Sequence, residues 1–459
     1  MENAVPYDVV VLGGGSGGYA TALRGAQLGL NIALIEADKV GGTCLHRGCI
    51  PTKAMLHAAE VADSVREAGA FGVGAQLEGI DMQQVNRFKQ GVIDRLYKGL
   101  SGLVSGRGVT LVPGWGTLVA PDAVQVGEDR IEGKHVVLGT GSYAKSLPGL
   151  EIGGRVMTSD QALELDYIPQ HPVVLGGGVI GLEFASLWTS FGAKVQIVEG
   201  LPHLAPNEDE AISKTLERSF RKRGIGFKVG AMVAEVTQDE NSVTVTLQSG
   251  DQVTGDILLV AVGRGPRTQD LGYEAQGLNL DRGFVLTDDR LRTGVGNIWA
   301  VGDIVPGLQL AHRGFQQGIA VAERIAGLNP PPLIESGIPR VTYCEPEIAS
   351  VGLNEVAARQ RHGDGAIETV EYNLAGNGKS QVLQTQGFIK VVSLKGGPVL
   401  GIHMIGSRVG ELVGEAQLIV NWEAHPSDVA ELVHAHPTQD EAIGEAFMAL
   451  AGKPLHAHA

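Results

Sequence analysis

The chain has 459 residues, 51 of them acidic and 36 basic, and its formal charge of −15 argues against nonspecific nucleic-acid binding or residence on an anionic membrane surface. No run of about 18 apolar residues occurs, and Met1-Glu2-Asn3 opens no basic-then-apolar leader, so a cytoplasmic protein with small-molecule or protein partners is expected. The length suggests roughly three or four domains, and the 66 glycines cluster in short loops behind apolar runs instead of following a collagen-like period.

Val10-Val11-Leu12 reads as a strand that runs into Gly13-Gly14-Gly15-Ser16-Gly17-Gly18, a small-residue helix, and a second strand at 32–35 closed by Glu36. In such a loop Gly13 permits the tight turn, Gly15 lets backbone N–H groups approach a pyrophosphate, and Gly18 packs helix on strand. The helix N-terminus then attracts the anion. The pattern returns at an offset of 163, as Val173-Val174-Leu175-Gly176-Gly177-Gly178-Val179-Ile180-Gly181 followed by a strand at 195–198 closed by Glu199. One such loop is weak evidence, whereas two complete copies predict two dinucleotide sites. Each glutamate suits a ribose diol and repels a 2′-phosphate, and Gly200-Leu201-Pro202-His203 supplies no arginine after Glu199, which favours NAD over NADP.

Between the copies lies Gly41-Gly42-Thr43-Cys44-Leu45-His46-Arg47-Gly48-Cys49-Ile50-Pro51-Thr52-Lys53. With only three cysteines in the chain, a close pair beside a redox cofactor points to catalysis, with two buried thiols or half a zinc site as the alternatives. No second Cys/His pair nearby supports zinc, and no metal is expected. Residues five apart on a regular helix sit ~8–9 Å apart, while a disulfide needs its Cα atoms within ~7 Å. The helix must therefore tighten or break here, which Gly48 and Pro51 permit. His46 and Arg47 either add positive charge that favours a thiolate or form a solvated face.

Further along, Gly114-Trp115-Gly116-Thr117 marks a turn, and His135-Val136-Val137-Leu138-Gly139-Thr140-Gly141-Ser142 a strand returning toward the first nucleotide. A buried strand is expected at 256–262, ending in Gly263-Arg264, and another at 297–301, ending in Gly302-Asp303. From about 341 the pattern changes to short strands at 387–392 and 399–405 and helices at 411–422 and 426–432, a separate α+β domain. The expected class is α/β with two Rossmann-like domains, at 1–149 and 150–274, a segment at 275–342 that completes the first site, and a C-terminal α+β domain at 343–459. Cys344 has no cysteine near it in sequence and reads as a buried or idle thiol.

The two dinucleotide patterns, the cysteine pair, Gly302-Asp303 and the closing His436-Pro437-Thr438-Gln439-Asp440-Glu441 together resemble the flavoprotein disulfide reductases. These are the class I pyridine nucleotide-disulfide oxidoreductases, and among them the pattern is most similar to the dihydrolipoamide dehydrogenases, from Tyr7 to about Leu455. The resemblance implies FAD in the first fold, NAD in the second and a homodimer interface in the last domain. It implies that Cys44 exchanges with the substrate sulfur and that Cys49 faces the flavin. His436 is the expected base, oriented by Glu441 five residues on and reaching the partner subunit's cysteines, with a cis bond before Pro437. His434 is instead expected to be a surface residue. Lys53 and Glu183 are expected to pair near the flavin. Carried over for FAD are Gly13, Gly15, Gly18, Glu36, Lys53, Gly116, Thr140, Gly141, Ser142, Asp303 and the run Gln309-Leu310-Ala311-His312. Carried over for NAD are Gly176, Gly178, Gly181, Glu183, Glu199 and Gly263, with Val233 either near the adenine or in the core.

The implied activity is reoxidation of protein-bound dihydrolipoamide to lipoamide, with electrons passing through a Cys44–Cys49 disulfide and FAD to NAD+. The lipoyl group would come from lipoylated subunits of 2-oxo acid dehydrogenase or glycine cleavage complexes. The alternatives are an NAD(P)H-dependent reductase of a low-molecular-weight disulfide, mycothiol- or glutathione-like, and a docking subunit without catalysis. A mercuric reductase is disfavoured because Lys453-Pro454-Leu455-His456-Ala457-His458-Ala459 contains no cysteine pair.

Overall fold

The computed structural model describes residues 7–456, organised around three principal sheets. In the first, Tyr7–Leu12 pairs in parallel with Ile32–Glu36 on one side and Asp129–Leu138 on the other, and Ile32–Glu36 pairs with Thr110–Pro113. Val10, Val11, Ala33, Leu34, Val136 and Val137 are fully buried. Such continuous apolar runs are what a parallel sheet covered on both faces requires. The first half of Asp129–Leu138 turns outward instead, in an antiparallel excursion with Ala123–Val126 and Gly116–Ala120. Much later in the chain, Ile298–Ala300 returns and adds in parallel to Asp129–Leu138.

The second sheet is all parallel, in the order Gly226–Lys228, Gln196–Val198, Pro172–Leu175, Ile257–Val260, Val156–Met157. It repeats the logic of the first, with the helix Val179–Ser190 leaving its glycine loop as Ser16–Gln27 leaves the other. The chain leaves the first sheet through Ser142–Ala144 and comes back through Arg264–Pro266, and these two crossings pair antiparallel with each other.

The third sheet is antiparallel, in the order Arg340–Thr342, Glu347–Gly352, Val399–Gly406, Phe388–Leu394, Ile367–Asn373. Helices Val409–Asn421 and Glu441–Leu450 pack Ala416, Ile419, Ile443 and Phe447 onto Ile389, Val391, Ile402 and Met404. The helix expected at 426–432 stops at Val429, because Leu432 and Val433, 59% and 98% exposed, find no apolar surface of their own chain to cover.

A buried ionic cluster joins the second sheet's layer to the third sheet. Lys390 Nζ lies 2.9 Å from Asp209 Oδ1 and 2.7 Å from Glu355 Oε2. Burial alone would raise the Asp209 pKa, but the hydrogen bond and charge of Lys390 hold it below the usual carboxylate range. Glu355 is held low first by its bond to Lys390. Carboxylates depressed in this way stabilise the fold above their unfolded values of ~4 and lose that contribution as pH falls through the lower native values. Lys390→Met leaves Asp209 without a cation, while Glu355 keeps Arg359 at 2.7 Å, and should cost about 3 kcal/mol near neutral pH. The deficit should shrink at acid pH, as read from urea midpoints measured across pH.

Candidate active site

The two cysteines occupy different helices. Gly41, at φ +114°, starts the short helix Gly42–Arg47, and Gly48, at φ −145° and ψ −108°, interrupts it before Cys49–Glu67 begins. A Cβ on Gly48 would lie 3.0 Å from the Thr43 carbonyl oxygen, so the close approach of the two segments favours glycine. Pro51 falls in the first turn of the new helix, where a missing N–H costs nothing. The break brings the half-buried Cys44 and Cys49 side chains into hydrogen-bond contact. Cys44 gives that bond, so its ionisation is pushed well up, first by the bond and then by burial. Cys49 receives it and is pulled down to about 7; burial opposes the shift, and Lys53, one turn on, supports it. The helix N-terminus at Cys49 adds to the preference for a thiolate there.

Lys53 Nζ meets both carboxylate oxygens of Glu183 at 2.8 Å, with Glu183 only 3% exposed. Burial works against the Lys53 charge, yet Glu183 more than compensates and raises its pKa. The third sheet's layer contributes as well. The Tyr343 N–H donates to Glu183 Oε1 at 3.1 Å, and the Lys53 ammonium stands 4.8 Å from the centre of the Tyr343 ring. Tyr343 was not anticipated from sequence, since no motif marks it.

Cys44, Cys49, Lys53 and Glu183 face a single cavity of about 1600 Å³ that also receives both glycine loops. Gly15, Gly141, Ser142, Asp303, Gln309, Leu310, Ala311 and His312 line the part belonging to the first sheet. Gly176, Gly178, Glu199, Val233 and Gly263 line the part belonging to the second. Three helices, Ser16–Gln27, Val179–Ser190 and Ala311–Ile325, begin at this cavity with no acidic residue in the first turn, so their free N–H groups remain available to an anion.

The glycines divide by role. A Cβ on Gly18 would lie 1.7 Å from Gly13 O, and one on Gly181 2.0 Å from Gly176 O, so both are packing positions behind the cavity wall. A Cβ on Gly15 or Gly178 would meet nothing within 4 Å, because these positions open into the cavity, as the approach of a pyrophosphate requires. The carboxylates at the two strand ends are held alike: Glu36 accepts from the N–H of Gly14 at 2.6 Å, and Glu199 from the N–H of Gly177 at 2.5 Å. The residues present fit two dinucleotides meeting at the thiols.

Gly13, Glu36, Gly116 and Thr140 do not line the main cavity. Gly116 makes room for Leu12 and Val124, and Thr140 bonds the Arg267 carbonyl and the Tyr273 hydroxyl. Arg264, which sequence reasoning passed over, does line it, donating to Ser142, which donates in turn to Asp303. His46 bonds the Val40 carbonyl and Arg47 pairs with Asp38, so each has a specific partner. Cys344 is buried, and its thiol is pushed well up by burial.

His436 Nδ1 lies 2.8 Å from Glu441 Oε1, and the bond before Pro437 is cis. Burial would raise the Glu441 pKa, but the Thr438 N–H and His436 hold it low. This dyad stands apart from the cavity, with the His436 side chain 78% exposed. His434 corrects the expectation of a solvated residue: its side chain is 10% exposed and bonded to Glu415 at 3.0 Å, seated in space that a side chain on Gly444 would fill. In the reduced, flavin-free protein, ultraviolet thiolate absorbance should develop with a midpoint of about 7. Lys53→Met should raise that midpoint by roughly a unit or more.

Comparisons with known proteins agree with this arrangement. Residues 7–318 match the family described as pyridine nucleotide-disulphide oxidoreductase, and residues 338–447 match that family's dimerisation domain. The chain is 39% identical to a dihydrolipoyl dehydrogenase of Bacillus subtilis over 99% of its own length and 100% of the relative's. It is 36% identical to the mitochondrial dihydrolipoyl dehydrogenase of Pisum sativum, covering 98% of this chain and 92% of that one. Among solved structures it superimposes on LpdA from Mycobacterium tuberculosis with a TM-score of 0.89 at 26% identity, covering 96% of this chain and 99% of that one. The HOCl-induced flavoprotein disulfide reductase RclA of Escherichia coli gives a TM-score of 0.86 at 27% identity over 96% and 99% of the two chains. The chain therefore belongs to the pyridine nucleotide-disulphide oxidoreductases, as a homodimeric flavoprotein disulfide oxidoreductase with FAD and NAD(H) as its cofactors.

Proposed function

We infer that the protein is a dihydrolipoyl dehydrogenase, oxidising dihydrolipoamide to lipoamide at the expense of NAD+. The observation that carries this reading is the split at Gly48, which sets Cys49 beside Lys53 and Glu183 inside a cavity fed by both glycine loops. The relatives that match over nine-tenths or more of their length at 35–39% identity include dihydrolipoyl dehydrogenases from bacteria and a plant.

The two sulfurs have unequal tasks. In the oxidised enzyme the pair is a disulfide, and a substrate thiolate attacks Cys44 Sγ, breaking the bond to Cys49. Cys49 leaves as the thiolate, a role that suits the sulfur with the lower pKa and a lysine beside it. The second substrate sulfur then attacks its own mixed-disulfide partner, releasing lipoamide and Cys44. Cys44, held protonated by its surroundings, is the sulfur that needs an external base and acid. His436 serves it: the imidazole takes the proton from the substrate thiol and returns one to Cys44, while Glu441 fixes its tautomer. FAD bound at the Gly15 and Asp303 side of the cavity would supply a two-electron acceptor for the dithiol, and NAD+ at the Gly178 side a hydride acceptor.

His436 is exposed in its own chain and away from its own cysteines, so the base for each pair comes from the partner subunit. The loop of Gly176 and Gly178, packed closely by Gly181, would hold NAD, and the Glu199 carboxylate, anchored by the N–H groups of Gly177 and Leu201, selects a free ribose diol. Gly15 and Asp303, which line the cavity, would hold FAD directly, while Gly13 and Gly18 shape the loop and Glu36 is fixed behind it by the Gly14 N–H. The physiological substrate is the lipoyl group of a lipoylated subunit of a 2-oxo acid dehydrogenase or glycine cleavage complex.

The direct test is turnover of dihydrolipoamide with NAD+ against reduction of mycothiol- and glutathione-type disulfides with NADPH; faster low-molecular-weight disulfide reduction would displace this reading. His436→Gln should lower dihydrolipoamide turnover by about 10²–10⁴. Hybrid dimers of Cys44→Ser and His436→Gln chains should regain one working site, because one intact cysteine pair faces one intact histidine across the interface. If base and thiols belonged to the same chain, the hybrids would stay inactive.

A further inference from the structure

Arg264 stands where the chain comes back from the second sheet to the first, paired across the connector ladder with Ala144. Its guanidinium borders the cavity, and among the described residues no carboxylate forms an ion pair with it. Its fixed bonds go to one residue: Nε donates to Ser142 Oγ at 2.7 Å, and Nη2 to the Ser142 carbonyl at 3.0 Å. Ser142, 4% exposed, donates to Asp303 Oδ2 at 2.5 Å. Gln309 Nε2 donates to the Asp303 backbone carbonyl at 3.2 Å and steadies that residue from the other side.

The direction of this chain is forced. A guanidinium only donates, so Ser142 Oγ must accept from Arg264, and the single hydroxyl proton is left to point at Asp303. Asp303 Oδ2 is thereby occupied. Oδ1 accepts no hydrogen bond from the described residues and is the oxygen left for a ligand hydroxyl at the cavity. Without the arginine the serine hydroxyl becomes a free rotor that can turn its lone pairs toward the carboxylate.

We propose that Arg264 is a positioning residue for the polyol chain of the flavin, acting through Ser142 to orient the Asp303 carboxylate, so that a residue of the second nucleotide module sets cofactor affinity in the first. This rests on the reading that Asp303 meets FAD.

The test is FAD affinity of the dimer, measured by flavin fluorescence on titration of the apoprotein, for wild type, Arg264→Met, Arg264→Lys, Ser142→Ala and the Met/Ala double variant. Arg264→Met and Ser142→Ala should each weaken binding by about tenfold. The double variant should be no weaker than the weaker single one, and Arg264→Lys should fall between wild type and Met. Deoxyribityl FAD analogues add a readout that general loosening would not move: with the analogue lacking the hydroxyl that meets Asp303, the Arg264→Met penalty should vanish. Unchanged affinity in Arg264→Met, additive losses in the double variant, or a penalty that persists with every deoxyribityl analogue would each overturn the proposal. Should Arg264→Met fail to fold, Arg264→Lys in the wild-type and Ser142→Ala backgrounds decides, since a lysine effect of equal size in both overturns the relay. Wild-type apoprotein that bound no FAD would instead refute the underlying reading, a result distinct from all of these.

Discussion

The ion pair between Lys53 and Glu183 is the contact on which the rest of the site depends. Lys53 belongs to the helix that begins at Cys49, Glu183 to the helix that follows the second glycine loop, and the Tyr343 N–H that completes the carboxylate comes from beside the third sheet. A buried carboxylate is tolerable only with a cation and hydrogen bonds to satisfy it. The requirement pins three layers of the fold at one point, next to the Cys49 sulfur. The same lysine answers to both neighbours: Glu183 keeps it charged, and its charge favours the Cys49 thiolate.

Around that point the molecule uses one device twice. Each parallel sheet ends in a glycine loop, each loop opens a helix toward the cavity, and each second strand ends in a glutamate whose carboxylate is clamped by a loop N–H. The repeat is therefore physical as well as sequential, and it delivers two glycine loops of like chemistry to the one cavity that the thiols face. What differs is the connection between them. The antiparallel crossing of Ser142–Ala144 and Arg264–Pro266 puts Arg264 against Ser142 and Asp303, where the two halves exchange hydrogen bonds across the junction.

Much of this arrangement was legible in the residues. The glycine loops, their glutamates and the apolar runs before them carry local signals that need no tertiary context, because turns, helix starts and buried parallel strands each demand particular residue types. The helix break at Gly48 was legible for a similar reason: the reach of a disulfide conflicts with five-residue spacing on a regular helix. The antiparallel excursion of residues 116–138 and the truncated helix at 426–429 were not. Their extents depend on which surfaces lie opposite, and no local pattern records that. Tyr343, Arg264 and the buried setting of His434 were missed likewise, since a tyrosine over a lysine or a glycine vacancy filled by an imidazole has no linear signature.

The sequence alone determined which chemical groups are available: two dinucleotide loops, a close thiol pair, and a histidine with a glutamate in reach. These follow from bonds and contacts within a few residues of chain, which composition and spacing encode directly. Only the tertiary structure decided how unlike the two thiols are, and that the imidazole stands outside the cavity of its own subunit. Those properties come from burial, from the charge of residues distant in sequence, and from where the connection between helices 426–429 and 441–450 is held.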